Sequence, residues 1–210
     1  MSMTEKEIID QIKAAYNGIA KLYQDAYAEA DEYDLKYVEQ FSNRLPGRRV
    51  IDLGCGTGTI AAYLTQRGFE VLGIDYSENM LRIARNNYPE MQFQNMNILD
   101  ISFDFGKFDG IILSYVANHF SHEMLDTLKP ILDNLLSKQG IIFVAAHVGD
   151  EEMVVTDPLD ENIQLYYHFL SVKELDDLFG DYDRIYTAMR ASFGEEEFLC
   201  DKMFIIYRKR

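Results

Sequence analysis

Along residues 4–23 the apolar positions Ile8, Ile9, Ile12, Ala15, Tyr16, Ile19, Ala20 and Tyr23 recur at three- and four-residue intervals, which predicts an amphipathic helix. The same spacing runs on over 31–45, until Pro46 and Gly47 stop it. From there the period changes. RRVIDLG (48–54) is a short apolar run ending in glycine and predicts a buried strand, and TIAAYLTQRG reads as a helix closed by Gly68. FEVLGIDY predicts a second strand, with Ser77 placed to cap the helix ENMLRIARNN. MQFQNM is a third, weaker strand, and FDGIILSY a fourth that is almost wholly apolar. Ser121 can cap the helix HEMLDTLKPILDNLLSK, in which Pro130 is expected to make a kink; Gly140 then precedes a fifth strand, IIFVAAH.

Strands that alternate with helices and are too apolar to have a wet face imply a parallel sheet covered on both sides. Residues 148–170 break the rhythm: they begin acidic, contain Pro158 and end in LYYHF, an aromatic edge placed either to roof a pocket or to pack the next helix. SVKELDDLFG carries a capping box, Ser171 with Glu174. The runs RIYTAMRAS and KMFIIYRK close the chain. The short FGEEEFLCD between them allows only a hairpin-like return, so this last pair should be antiparallel, with Glu195, Glu196 and Glu197 in a solvated turn.

Composition narrows the functional classes. At 210 residues, 48% of them hydrophobic, the chain suits one domain with a well-buried core. A formal net charge of −15 disfavours nucleic acid and anionic membrane surfaces as partners. The two cysteines, Cys55 and Cys200, lack metal-ligand spacing, so neither a metal site nor a disulfide framework is expected. MSMTEKEIID has no basic region followed by an apolar one, and no run reaches membrane-spanning length; a cytoplasmic setting is expected.

The candidate chemistry sits in VIDLGCGTG. Gly54, Gly56 and Gly58 follow a strand and precede a helix, where bare backbone admits a ligand and the helix start turns its N–H groups toward it. A dinucleotide fingerprint, G-x-G-x-x-G, would need glycine where Thr59 stands. Asp52, in an apolar strand end, needs a buried partner, which a cationic or amine-bearing ligand would supply. Asp75 ends the second strand about twenty residues beyond the turn, where a carboxylate accepts ribose hydroxyls. Together these point to a nucleoside whose other end carries an amine and positive charge.

VIDLGCGTG followed by VLGIDYSENML resembles the first two motifs of the class I S-adenosylmethionine-dependent methyltransferases, and FQNMNILD, FDGIILSYVANHF and LLSKQGIIFVAAH follow in that family's order, over about residues 45–147. The resemblance implies a Rossmann-like α/β domain spanning 1–210, with seven mostly parallel strands, the last antiparallel, and helices on both faces. It implies S-adenosylmethionine held by Asp52, Gly54, Cys55, Gly56, Gly58 and Asp75, with Tyr76 and Met80 along the adenine. Asn97 stands where the family often has aspartate; its amide oxygen would meet the adenine amino group, and the N–H of Ile98 a ring nitrogen. Cys55 reads as a small buried loop residue and no nucleophile. The segment 1–45 would be a helical lid, its Y-x-x-x-A-x-x-Y pattern offering Tyr16 or Tyr23 to the cofactor carboxylate, although both also share the apolar stripe.

Methyl transfer from a sulfonium mainly needs alignment and dryness, and a base only when the acceptor is protonated. The polar groups beyond strands four and five are Ser114, Tyr115, Asn118, His119 and His147. Ser114 joins the cofactor set, and His119, His147 and Tyr115 are the candidate catalytic groups, histidine being the side chain most easily tuned near neutrality. The expected acceptor is a small molecule in a pocket formed by the N-terminal helix, the segment after strand four and the 148–170 insertion as part of a substrate cap. Acceptor identity, the atom methylated and oligomeric state stay open. Two alternatives stand beside this reading: a non-catalytic S-adenosylmethionine-binding protein and an NAD-dependent oxidoreductase.

Overall fold

The computed structural model describes residues 3–27, 32–101, 105–192 and 200–210. The expected Glu195–Glu197 turn lies outside them. Two helices, α1 (Glu5–Ala26) and α2 (Glu32–Ser42), precede β1 (Arg49–Leu53), α3 (Thr59–Thr65), β2 (Glu70–Asp75), α4 (Glu78–Asn87), β3 (Gln92–Asn95) and β4 (Phe108–Ser114). Then come α5 (His122–Leu135), β5 (Leu136–His147), β6 (Glu152–Thr156), β7 (Gln164–His168), α6 (Val172–Leu178), β8 (Tyr182–Arg190) and β9 (Lys202–Lys209).

Seven strands form one sheet in the order β3-β2-β1-β4-β5-β9-β8. All neighbours from β3 to β5 pair parallel, whereas β9 is antiparallel to both β5 and β8. The order reverses between β1 and β4, so a crevice opens beyond their carboxyl ends. Alternate residues of the central strands feed two cores, as the continuous apolar runs require. Ile111, Leu113, Ile142 and Val144 meet α5 and α6 on one face; Ile112, Phe143 and Ala145 meet Tyr37, Val38 and Phe41 of α2 and Leu64 of α3 on the other. Phe143 is 1% exposed, and truncating it to alanine would cost about 3–5 kcal/mol.

Helix starts follow their caps. Thr4 and Glu7 make a reciprocal box at α1, and Ser77, Ser121 and Ser171 each accept the N–H three residues on. Glu174 sends its carboxylate to His122 and His168. Helix α5 runs through Pro130 but ends at Leu135, earlier than its polar pattern suggests, because Leu136 is buried against β4 and pairs with Phe108. The 148–170 segment, expected only as an insertion, folds as an antiparallel hairpin of β6 and β7.

Candidate active site

The glycine turn is built by three residues with left-handed φ, +76° at Gly54, +53° at Gly56 and +83° at Gly58, and they serve three different ends. A Cβ on Gly54 would lie 2.6 Å from the Val116 side chain, and one on Gly58 2.9 Å from Phe93 of β3. Those two glycines therefore let neighbouring protein approach. On Gly56 the nearest atom would be a Tyr23 ring carbon at 4.0 Å, so this residue alone presents open backbone to a cavity. The expectation that all three lie under a ligand is corrected accordingly: Gly58 caps α3 and lines neither of the two main cavities.

Asp75 fastens the turn. Its carboxylate accepts the Gly56 N–H and the Ser77 N–H, each at 2.8 Å. Burial raises its pKa, against the pull of the hydrogen bonds from Ser77, Gly56 and Tyr76. Asp52, 2% exposed, is pushed up to about 7, first by burial and then by the charge of Asp75. A positive group arriving beside it would restore its ionised form. Cys55 is buried too, and desolvation together with both aspartates raises its thiol well above the ordinary range, which fits a packing role.

Two cavities meet at this turn. The first, of about 800 Å³, runs beneath α1 and is lined by Tyr16, Tyr23, Gly54, Gly56, Asp75, Tyr76, Met80, Asn97, Ile98, Ser114, Tyr115 and His119. The second, of about 1010 Å³, shares Tyr23, Gly54, Gly56, Ser114 and Tyr115 and adds Asp52, Cys55 and His147. Asn97 reaches the wall with its amide oxygen already accepting the Leu99 N–H at 3.2 Å, which leaves that oxygen one further lone pair.

The three candidate catalytic groups have different surroundings. His119 Nδ1 faces the Tyr166 carbonyl at 3.4 Å, so Nε2 is the acceptor for the Tyr16 hydroxyl at 2.7 Å. Burial lowers its pKa to about 4 and keeps the ring neutral. His147 bonds the Tyr167 hydroxyl through Nδ1 and is lowered to about 3 by burial, then by the charges of Lys202, His119 and Arg190. Tyr115 is not placed to move a proton. Its hydroxyl donates to Asp34 at 2.7 Å, and burial followed by the Asp34 charge raises its pKa. A second correction concerns the 148–170 cap, since none of its residues lines either cavity. The hairpin stands behind the site and orients His119 and His147 through Tyr166 and Tyr167.

Sequence reasoning missed the residues that clamp these elements. Asn17 of α1 accepts from Ser77 Oγ at 2.9 Å and from the Asn79 N–H at 3.1 Å, latching the helix to α4. Asn118 is fully buried, donates to the carbonyls of His147 and His168 and accepts the His147 N–H, so it is a staple and not a substrate contact. Asp34, Arg190 and Lys202 come from opposite ends of the chain; Arg190 meets Asp34 at 3.2 Å, and Lys202 lines the second cavity. No local spacing reveals such pairs, although an asparagine at the centre of a helical stripe is a signal worth reading.

A glycine turn at the switch point, a carboxylate ending β2 and a covering helix define a nucleoside-binding α/β domain. Residues 50–140 match the methyltransferase domain family. The chain is 30% identical over 139 residues to a putative methyltransferase, YqeM, of Bacillus subtilis, an alignment that covers 63% of this chain and spans 55% of that relative's length. It is 26% identical over 207 residues to a ubiquinone biosynthesis O-methyltransferase of Alkalilimnicola ehrlichii, covering 89% and 83% of the two chains. Among solved structures, the 1,6-didemethyltoxoflavin-N1-methyltransferase of Burkholderia thailandensis, with bound S-adenosylhomocysteine, superposes with a TM-score of 0.77 at 15% identity, covering 100% of this chain and 92% of that one. Magnesium protoporphyrin IX methyltransferase of Synechocystis, with bound S-adenosylmethionine, gives 0.73 at 17%, covering 100% and 99%. Residues 50–140 thus carry the pattern of a methyltransferase domain, and the chain shares its fold with S-adenosylmethionine-dependent methyltransferases of known structure.

Proposed function

We propose that the protein binds S-adenosylmethionine across the glycine turn and transfers its methyl group to a small molecule, in a cytoplasmic setting. The observation that carries this reading is the first cavity. Its floor is the open backbone of Gly56, and its end wall is the Asp75 carboxylate with lone pairs remaining for the ribose hydroxyls. Tyr76 and Met80 would flank the adenine; Asn97 and Ile98 would meet its polar edge. Asp52 would face the amine end, its buried carboxyl ionising as the positive charge arrives. Tyr23 stands closer to Gly56 than Tyr16 does, whose hydroxyl is given to His119, so Tyr23 is the lid tyrosine assigned to the carboxylate.

When bound, S-adenosylmethionine supplies a methyl carbon on positive sulfur, so the acceptor lone pair forms the new bond while the carbon–sulfur electron pair stays on sulfur. The chain's own part is alignment and dryness. Helix α1 and the 115–120 segment shut out water, Tyr115 and the turn hold the reacting ends together, and neutral His119 accepts a hydrogen bond. With a pKa near 4 it is too weak a base to strip an ordinary alcohol at neutral pH, so acceptors that are already acidic or neutral nucleophiles suit the site.

Calorimetry with S-adenosylhomocysteine and NAD tests the proposal. Binding of the first and not the second is expected, and Asp75→Ala should weaken it by about 1.5–3 kcal/mol. NAD binding alone, or unchanged affinity in the variant, would refute the assignment.

A further inference from the structure

Among the described residues the two sheets end in four edge strands, β3, β8, β6 and β7, and three of them are guarded. β3 is four residues long and polar at three of them. β8 carries a bulge between Arg184 and Tyr186, and its Asp183 and Arg184 are ion-paired with Arg210 and Asp176. Short length, bulges and charge are what keep an edge from pairing. β7 is covered by α1, where Gln11 Oε1 accepts the Tyr166 N–H at 2.8 Å. β6 has none of these devices. Its register against β7 is unbroken, it contains no lysine, arginine or proline, and Met153 and Val154 are 42% and 47% exposed. The Asp157 N–H donates to the Ile163 carbonyl and the Phe169 N–H to the Glu151 carbonyl, so the odd-numbered residues bond inward to β7. Glu152, Val154 and Thr156 therefore turn their N–H and C=O groups outward, with no backbone hydrogen bond there to any described residue.

We propose that β6 is the interface of a two-fold dimer, pairing antiparallel with β6 of a second copy so that the two hairpins make one four-stranded sheet. Outward-bonding residues must face one another across the axis, and one register pairs all three within the strand. Val154 then meets Val154 of the second copy, Glu152 meets Thr156, and Met153 meets Val155, so no like charges are opposed and each outward pair can exchange two hydrogen bonds. An axis at Glu152 would oppose two carboxylates. One at Met153 would set Thr156 against Asp150, outside the strand, and one nearer Thr156 would bring in Pro158, which has no N–H. The net charge of −15 opposes self-association, but the acids of the strand are engaged locally. Glu152 accepts the His122 N–H at 3.1 Å, and Asp157, 3% exposed, accepts the N–H groups of Leu159 and Asp160. What remains is long-range repulsion, which salt screens. Because β7 holds His119 and His147 through Tyr166 and Tyr167, the pairing also stiffens the wall behind the site. Nothing in it depends on which reaction the site performs.

Sedimentation equilibrium of the whole chain, over a wide range of concentration and at low and high salt, tests the pairing. A monomer–dimer equilibrium is expected, weak because one strand pair is a small interface, and tightened by salt as the repulsion is screened. Val154→Lys sets two ammonium groups against each other on the axis and should weaken the dimer by about tenfold, with the circular dichroism spectrum unchanged. Oxidative cross-linking reads the register, with the native chain as control for Cys55 and Cys200. Across the axis the two Cα atoms of residue 154 would lie about 5.5 Å apart, within disulfide reach, and those of residue 153 about 8 Å apart, beyond it. Val154→Cys should therefore form covalent dimers much faster than Met153→Cys, although both positions are exposed. A chain that stays monomeric at every concentration and salt overturns the proposal and leaves the edge to a strand of another protein. A dimer that survives Val154→Lys, or that cross-links equally through 153 and 154, overturns it by placing the interface elsewhere. A dimer that salt dissociates overturns it too, because opposite charges and not this strand would then hold the copies together.

Discussion

The division of labour within the glycine turn predicts that two chemically identical substitutions fail in opposite ways. An alanine at Gly56 or Gly58 must adopt a left-handed φ, which costs about 1–2 kcal/mol, less about 0.4–1 kcal/mol regained because the unfolded chain is stiffer. At Gly56 the added methyl enters open space, so nothing further opposes folding and the net destabilisation is about 0–1.6 kcal/mol. At Gly58 it meets Phe93 at 2.9 Å and the Ala84 methyl at 3.3 Å, and overpacking adds about 1–3 kcal/mol, for a total of about 1–4.6 kcal/mol. Affinity should run the other way. The Gly56 methyl occupies the floor on which the ligand would rest and should weaken S-adenosylhomocysteine by at least about tenfold, whereas Gly58→Ala, once folded, should bind nearly as the native chain does. Urea denaturation gives the stabilities and calorimetry the affinities. A Gly56→Ala protein that binds normally would refute the reasoning, because it would place the ligand away from the only open backbone of the turn.

The remaining predictions concern charge and the covering helix. Asp52, raised in the folded state to about 7 from an ordinary 3.8, adds stability that is fully present below about pH 4 and is lost as pH rises through 7; Asp52→Asn should flatten that slope in urea titrations at pH 5 and pH 8. The same carboxyl should release a proton when S-adenosylmethionine binds near pH 7, seen as a buffer-dependent heat in calorimetry that Asp52→Asn removes. His119, depressed to about 4 from 6.5, has the opposite sign: its contribution is present above pH 6.5 and lost as pH falls through 4, so His119→Gln should lessen acid destabilisation while still accepting the Tyr16 hydrogen bond. Asn17→Ala removes two side-chain hydrogen bonds, at about 0.5–1.5 kcal/mol each, and should show faster amide exchange in α1 together with weaker S-adenosylhomocysteine binding; unchanged exchange would mean the helix is held by its apolar face alone.

Much of the molecule is determined by local order along the chain. The runs RRVIDLG, FEVLGIDY, FDGIILSY and IIFVAAH are apolar on both faces, and a strand of that kind has nowhere to go but the middle of a covered parallel sheet. The glycine turn and Asp75 are legible for a related reason, since their function depends on backbone conformation and on a strand end, both local properties. The parts that tertiary structure alone decided involve groups brought together from remote positions. Gly56 and Gly58 look alike in sequence and differ only because Phe93 arrives from β3 beneath one of them. Tyr115 reads as a possible proton carrier until Asp34, 81 residues away, takes its hydroxyl, and Lys202 becomes a cavity wall only because β9 runs antiparallel beside β5. The hairpin of 148–170 contributes by positioning two histidines from behind, a consequence of packing that no periodicity records. A side chain's neighbours set its solvation, its charge state and its available lone pairs, and in this fold those neighbours are fixed by the order of strands in the sheet and not by their order in the chain.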